Sequence, residues 1–132
     1  ALALEIGVID ALFPELKALV GCEQEPEWHP EGDVWVHTLQ VIDRARERIA
    51  DLERPQAITV MLGAVCHDLG KPATTAFIDG RIRSPFHEEA GVAPTNAMLD
   101  RFWYIWRKTN APFHGEQAID EPGHQLTAGA SG

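Results

Sequence analysis

The sequence contains no run of 18 or more apolar residues, so no transmembrane helix is expected. Its first residues lack a basic stretch followed by an apolar run, and no secretory signal is expected there. Cysteine is scarce: Cys22 and Cys66 stand 44 positions apart and form no C-x-x-C pair, so they read as reduced thiols. No G-x-S-x-G elbow occurs, and His87-Glu88 does not open an H-E-x-x-H motif because Gly91 takes the second histidine position. The stretch from Gly63 to Gly70-Lys71 is not a phosphate-binding loop, since Pro72 replaces the required Ser/Thr and the glycine spacing is too long. Basic residues are few, 11 against 20 acidic, and the net charge of −9 disfavours nucleic acid or an anionic membrane as partner. These absences point to a cytoplasmic protein that does not enter a membrane and for which nucleic acid is a disfavoured partner.

What remains is ordinary globular material: 132 residues, 45% apolar and 23% charged, enough for a single core. A single domain is expected over 1–109, followed by an irregular tail over 110–132 that is rich in Pro, Gly and small residues. Pro14 interrupts the first helical pattern, giving one helix ending near Phe13 or two short helices meeting there. After a Gly-, Pro- and Glu-rich loop, Asp33 reads as the N-cap of a helix over about 34–53 with an apolar stripe of Val34, Val41, Ala45 and Ile49. Pro55 opens the next helix, running to about Leu69. Because Ala57–Cys66 is apolar almost all round, a central, enclosed helix is expected, closed by a left-handed cap at Gly70 and stopped by Pro72. Asp79-Gly80 signals a type I′ hairpin across 77–82. A further helix from about Pro85 to Lys108 is split or kinked at Pro94. The reading is an all-α bundle of about five helices with one short hairpin.

Chemistry concentrates at His37, His67-Asp68 and His87. His37 follows Val34 by three positions and precedes Val41 by four, so it points along the apolar stripe. Asp68 beside His67, at the end of a nearly all-apolar helix, is costly to bury without a cation. Either Lys71 supplies that cation in a plain ion pair, or the imidazole and carboxylate groups converge on a divalent metal. Such a mixed set suits Mn, Fe, Mg, Zn or Ni. His29, in Trp28-His29-Pro30, reads as a surface-loop histidine near the mouth of such a site.

The segments Val34-Trp35-Val36-His37-Thr38-Leu39, Cys66-His67-Asp68-Leu69-Gly70-Lys71-Pro72, Arg81-Ile82-Arg83-Ser84 and His87-Glu88-Glu89-Ala90-Gly91 together resemble the HD superfamily of metal-dependent phosphohydrolases. The likeness is strongest to the HD domain attached to bacterial CCA-adding tRNA nucleotidyltransferases and runs from about Phe13 to Arg101. The resemblance implies an HD-type helical bundle that hydrolyses phosphomonoesters or phosphodiesters of nucleotides or other small phosphate esters. It implies a divalent ion (Mn, Ni, Co, Fe, Zn or Mg) on His37, His67, Asp68 and His87. It further implies catalytic roles for Asp68 and Lys71, with Lys71 and Arg83 holding the substrate phosphate. The alternative is a degenerate, inactive HD domain kept as a binding or oligomerisation module.

Two features depart from that family. Its members carry a further Asp on a later helix, whereas here the well-separated later carboxylates are Glu116, Asp120 and Glu121, all in the tail. Phe102, Trp103, Tyr104 and Trp106 crowd one short segment and face every side of a helix. An apolar patch of that size usually marks an interface, and a homodimer through 102–106 is expected.

Overall fold

The computed structural model of the chain describes residues 2–110. In these residues, eight helical segments and one hairpin follow in the order α1 (Leu2–Glu5), α2 (Val8–Leu12), α3 (Pro14–Lys17), α4 (Val34–Arg48), α5 (Arg54–Cys66), α6 (Lys71–Thr74), β1 (Ala76–Ile78), β2 (Arg81–Arg83), α7 (His87–Ala90) and α8 (Val92–Asn110). The all-α expectation with one hairpin holds, with three long helices and five short ones in place of about five. The tail and its carboxylates Glu116, Asp120 and Glu121 lie outside the described residues.

Local sequence explains most boundaries. Pro14 begins α3, where its missing N–H costs nothing, and Gly7 at φ +78° breaks α1 from α2. Asp33 caps α4 as expected, its Oδ1 accepting from the Val36 N–H at 2.9 Å. Its Oδ2 also accepts from the Gly21 N–H, tying the preceding loop to the helix start. A capping box between Glu53 and Gln56, with Pro55 in the first turn, starts α5. Strands β1 and β2 pair antiparallel with Phe77 opposite Ile82, joined through Asp79 and Gly80 at φ +51° and +77°. Two successive positive φ values are what a type I′ turn demands.

The core gathers Ile9, Leu19, Val34, Trp35, Leu69 and Met98. Leu19 and Val34 are fully enclosed, and Trp35, beside the expected stripe, joins them. An ion pair fastens the two ends of this layer: Arg101 of α8 grips both carboxylate oxygens of Glu15 of α3 at 2.7 and 2.8 Å.

Three expectations need correction. Helix α5 packs along α4 but is not enclosed: of its residues only Ala64 is buried, while Ile58, Val60 and Leu62 are exposed. An all-apolar sequence leaves every face competent for burial but does not supply neighbours to cover them all. Gly70 is not a left-handed cap, since its φ is −84°. It is required for a different reason: a Cβ there would collide with the backbone of His87 and Gly91. Pro72 does not stop the chain from turning helically either; it sits in the first turn of α6, where proline is tolerated. The aromatic segment is exposed as anticipated, with Trp103 and Trp106 stacked at 5.0 Å on α8.

Candidate metal centre

Asp68 lies in the turn between α5 and α6 and is 2% exposed. Three imidazoles from three elements converge on it. His37 of α4 places Nε2 3.8 Å from Asp68 Oδ2, His67 after α5 places Nε2 3.2 Å from the same oxygen, and His87 of α7 places Nε2 3.6 Å from Oδ1. The structure therefore brings all four residues of the expected metal set together. His37, His67 and Asp68 form one group whose donor atoms lie within 4.8 Å of one another, and His29, Glu31 and His37 form a second.

The other nitrogen of each ring decides what faces Asp68. His67 Nδ1 lies 2.9 Å from the Ala64 carbonyl and His87 Nδ1 2.8 Å from the Ser84 carbonyl. A carbonyl only accepts, so both Nδ1 atoms carry hydrogen and donate. His37 Nδ1 donates to Glu31 Oε1 at 2.6 Å. In the neutral rings every Nε2 is then a lone pair aimed at a carboxylate. Three lone pairs and an anion in one buried spot repel unless protons or a cation lie between them. This outer arrangement, Nδ1–H to carbonyl or carboxylate and Nε2 inward, is the one that orients histidine toward a metal.

Lys71 is a cation already present. Its Nζ lies 2.9 Å from Asp68 Oδ2, so the plain ion pair exists. It does not complete the site, because it leaves Oδ1 facing His87 and makes no hydrogen bond of good direction: Oδ2 remains a buried oxygen without a hydrogen-bond partner. The other buried side-chain polar atom in that state among the described residues is Thr38 Oγ1, for which the structure offers no functional role. The donor set, the fixed tautomers and the incompletely satisfied buried oxygen all fit a divalent ion.

Charge around the carboxylate is strongly perturbed. Burial raises the Asp68 pKa, but the adjoining His67 and Lys71 outweigh it and hold the group at about 2. The same carboxylate raises the His67 pKa against an opposing effect of burial. Glu31 is held at about 2 by its own backbone N–H and by the His29 and His37 rings.

Sequence reasoning missed Glu31 and Gln24, and it placed His29 near the mouth of the site but favoured a surface role for it. His29 is part-buried: its ring meets His37 edge to face at 4.7 Å and shares Glu31 Oε1 with it, at 3.0 Å. Glu31 thus braces two rings from the loop before α4. Gln24, 8% exposed, accepts from Lys71 Nζ at 2.8 Å and donates to the Gly32 carbonyl, fixing the ammonium beside Asp68. A lone neutral glutamine between Glu23 and Glu25 was the one available signal. Arg83, expected on the substrate, is exposed on β2 and lines one wall of a cleft with Lys71, Ser84 and His87. The chain turns into His87 through Phe86 in the left-handed region (φ +57°), an unusual conformation for a bulky residue.

Similarity to known proteins bears on this centre. Over 98 residues, 74% of the chain, it is 39% identical to the Multifunctional CCA protein of Pasteurella multocida, of which that stretch is 23%. The corresponding proteins of Thioalkalivibrio sulfidiphilus and Methylococcus capsulatus are 39% and 40% identical over 98 residues, 22% and 21% of their lengths. The chain thus spans less than a quarter of the length of these curated relatives. Neither a family model nor a solved structure matches it. The expected kinship with CCA-adding enzymes is supported by this homology. Among the described residues, no helix is long and apolar enough to cross a membrane.

Proposed function

We propose, from this relationship to multifunctional CCA proteins, that the chain is an HD-type metal-dependent phosphohydrolase acting on phosphomonoesters or phosphodiesters of nucleotide size. One observation carries the reading: three histidines with Nδ1–H committed elsewhere turn Nε2 toward a single buried carboxylate beside a lysine. His37, His67, Asp68 and His87 would hold the ion. Once bound, a divalent ion polarises phosphoryl oxygens and lowers the pKa of water. The chain's own groups do the rest. Glu31, Ala64 and Ser84 keep the imidazoles in the tautomer that leaves Nε2 free. Gln24 holds the Lys71 ammonium where a phosphate oxygen can meet it, and Arg83 adds a fork that can bind phosphate through two donors.

The same kinship weighs against the expectation that disfavours nucleic acid as a partner. That expectation rested on the net charge of the whole chain, whereas the cleft beside Asp68 presents two cations, Lys71 and Arg83, alongside one lining carboxylate, Glu25. A terminal phosphate of an RNA belongs among the substrates to be tried.

The degenerate-module reading draws on the exposed apolar residues of α5 and the aromatic segment of α8. The two are separated by metal analysis of the purified chain and a phosphatase screen with Mn, Ni, Co and Mg, comparing wild type with Asp68→Ala. Bound metal and turnover that vanishes in the variant support the hydrolase. Turnover no greater than that of the variant, under every metal, leaves the module.

A further inference from the structure

Two clefts flank the buried carboxylate, and their linings differ in charge. One, of about 590 Å³, opens between the end of α5 and the start of α8, and besides His67 its ionisable lining residues are Cys66 and Glu88. It offers an anionic ligand no lysine or arginine. The other, of about 230 Å³, is lined by Trp28, His29, Lys71, Arg83 and His87, with Glu25 as the one carboxylate among its lining residues. Lysine and arginine mark this second cleft as the side from which a phosphate approaches. Its volume is below the roughly 300–1,000 Å³ of pockets that swallow a whole small molecule. It can take a phosphate and its immediate surroundings, while the rest of the ligand must lie on the rim.

Trp28 stands at that rim, and it is held. Its side chain is 69% exposed, so it adds little to the core. The Arg81 guanidinium lies over the indole at 5.6 Å, and Arg81 is itself paired with Glu27 at 2.8 Å. Glu25 Oε2 accepts from the Ile82 N–H at 2.9 Å while the Glu25 carbonyl accepts from the Trp28 N–H at 3.1 Å. The loop bearing Trp28 is therefore clasped to the hairpin that bears Arg83. A large aromatic ring braced in water, beside a cleft that presents Lys71 and Arg83, has the character of a stacking platform.

Resting on the hydrolase reading, we propose that Trp28 is a specificity-determining residue: it stacks on the flat ring of a phosphorylated nucleoside whose phosphate lies at Lys71 and Arg83. Every nucleobase has a π face, so the platform favours ring-bearing phosphate esters over ring-free ones and discriminates little among bases.

The test compares wild type, Trp28→Ala and Trp28→Phe, each metal-loaded, on the isomeric adenosine monophosphates and on glycerol phosphate. Trp28→Ala raises KM for adenosine monophosphate about tenfold with kcat nearly unchanged, leaves glycerol phosphate unaffected, and is largely rescued by Trp28→Phe. An equal loss on both esters, or no loss on either, overturns the proposal. Calorimetric binding of adenosine monophosphate provides an arm independent of turnover. Should wild type hydrolyse neither ester, the phosphomonoesterase part of the hydrolase reading fails. The platform then stands if the nucleotide binds and Trp28→Ala weakens it about tenfold, and falls if binding is absent or unchanged.

Discussion

Two glycines seven positions apart make opposite demands, and substituting each by alanine tests the backbone approach that brings His87 to Asp68. At Gly63, within α5, a Cβ would have no atom within 4 Å. Alanine there relieves the entropic cost of glycine in a helix, and stability should rise by about 0.5–1 kcal/mol. At Gly70 the added carbon would meet the carbonyl group of His87 and the amide nitrogen of Gly91. Those two groups are bonded to each other, Gly91 N–H to His87 oxygen at 2.8 Å, so neither can rotate away as a side-chain tip would. Overpacking against mobile side chains already costs about 1–3 kcal/mol, and a clash with backbone belongs at the top of that range. Urea denaturation with chelator present reads this directly. Gly70→Ala should lower the midpoint by about 1–2 M at the slopes usual for small domains, whereas Gly63→Ala should raise it slightly. A Gly70→Ala protein as stable as wild type would refute the close packing of α6 against α7 on which the His87 position depends.

Two further outcomes follow from the groups around Asp68. Glu31→Gln removes the charged acceptor of His37 and His29 without removing a direct ligand, and Mn or Ni affinity by titration calorimetry should fall about 10–100-fold; unchanged affinity would take Glu31 out of the site. The Asp68 pKa lies at about 2 instead of the ordinary 3.8 in metal-free protein. A depressed folded-state pKa means that its stabilisation is present above pH 4 and is lost as pH falls toward 2. The stability difference between wild type and Asp68→Asn should therefore shrink by about 2 kcal/mol between pH 5.5 and 2.5. A difference that stayed constant would show that the carboxylate is not held by its neighbours.

The histidines were legible because a polar residue on an apolar stripe, or beside an acid at the end of an apolar helix, needs a physical reason. That reasoning singled out His37, His67 and Asp68, the family resemblance added His87 as a ligand, and the structure brings the four together. Asp33 and Asp79-Gly80 were legible because capping and type I′ turns rest on a few neighbouring residues. Other features depended on distant neighbours. Glu31 and His29 lie in a loop without periodicity, so nothing in their spacing told them from the surrounding acids. Gly70 was misread because a glycine after a helix has two explanations, a left-handed turn or a close approach, and only the partner strand of backbone decides. For α5, apolarity on all sides states that any face can be covered, and which faces stay open could not be deduced from its own residues.

Asp68 faces four partners with two oxygens, and this has a bearing on how any mutational series at the centre must be read. Removing one neighbour lets the carboxylate relax toward those that remain, so the losses from His37, His67, His87 and Lys71 cannot be summed as independent contributions. The hub is best dissected by double-mutant cycles built on Asp68 itself, in which subadditivity is the signature of a shared anchor.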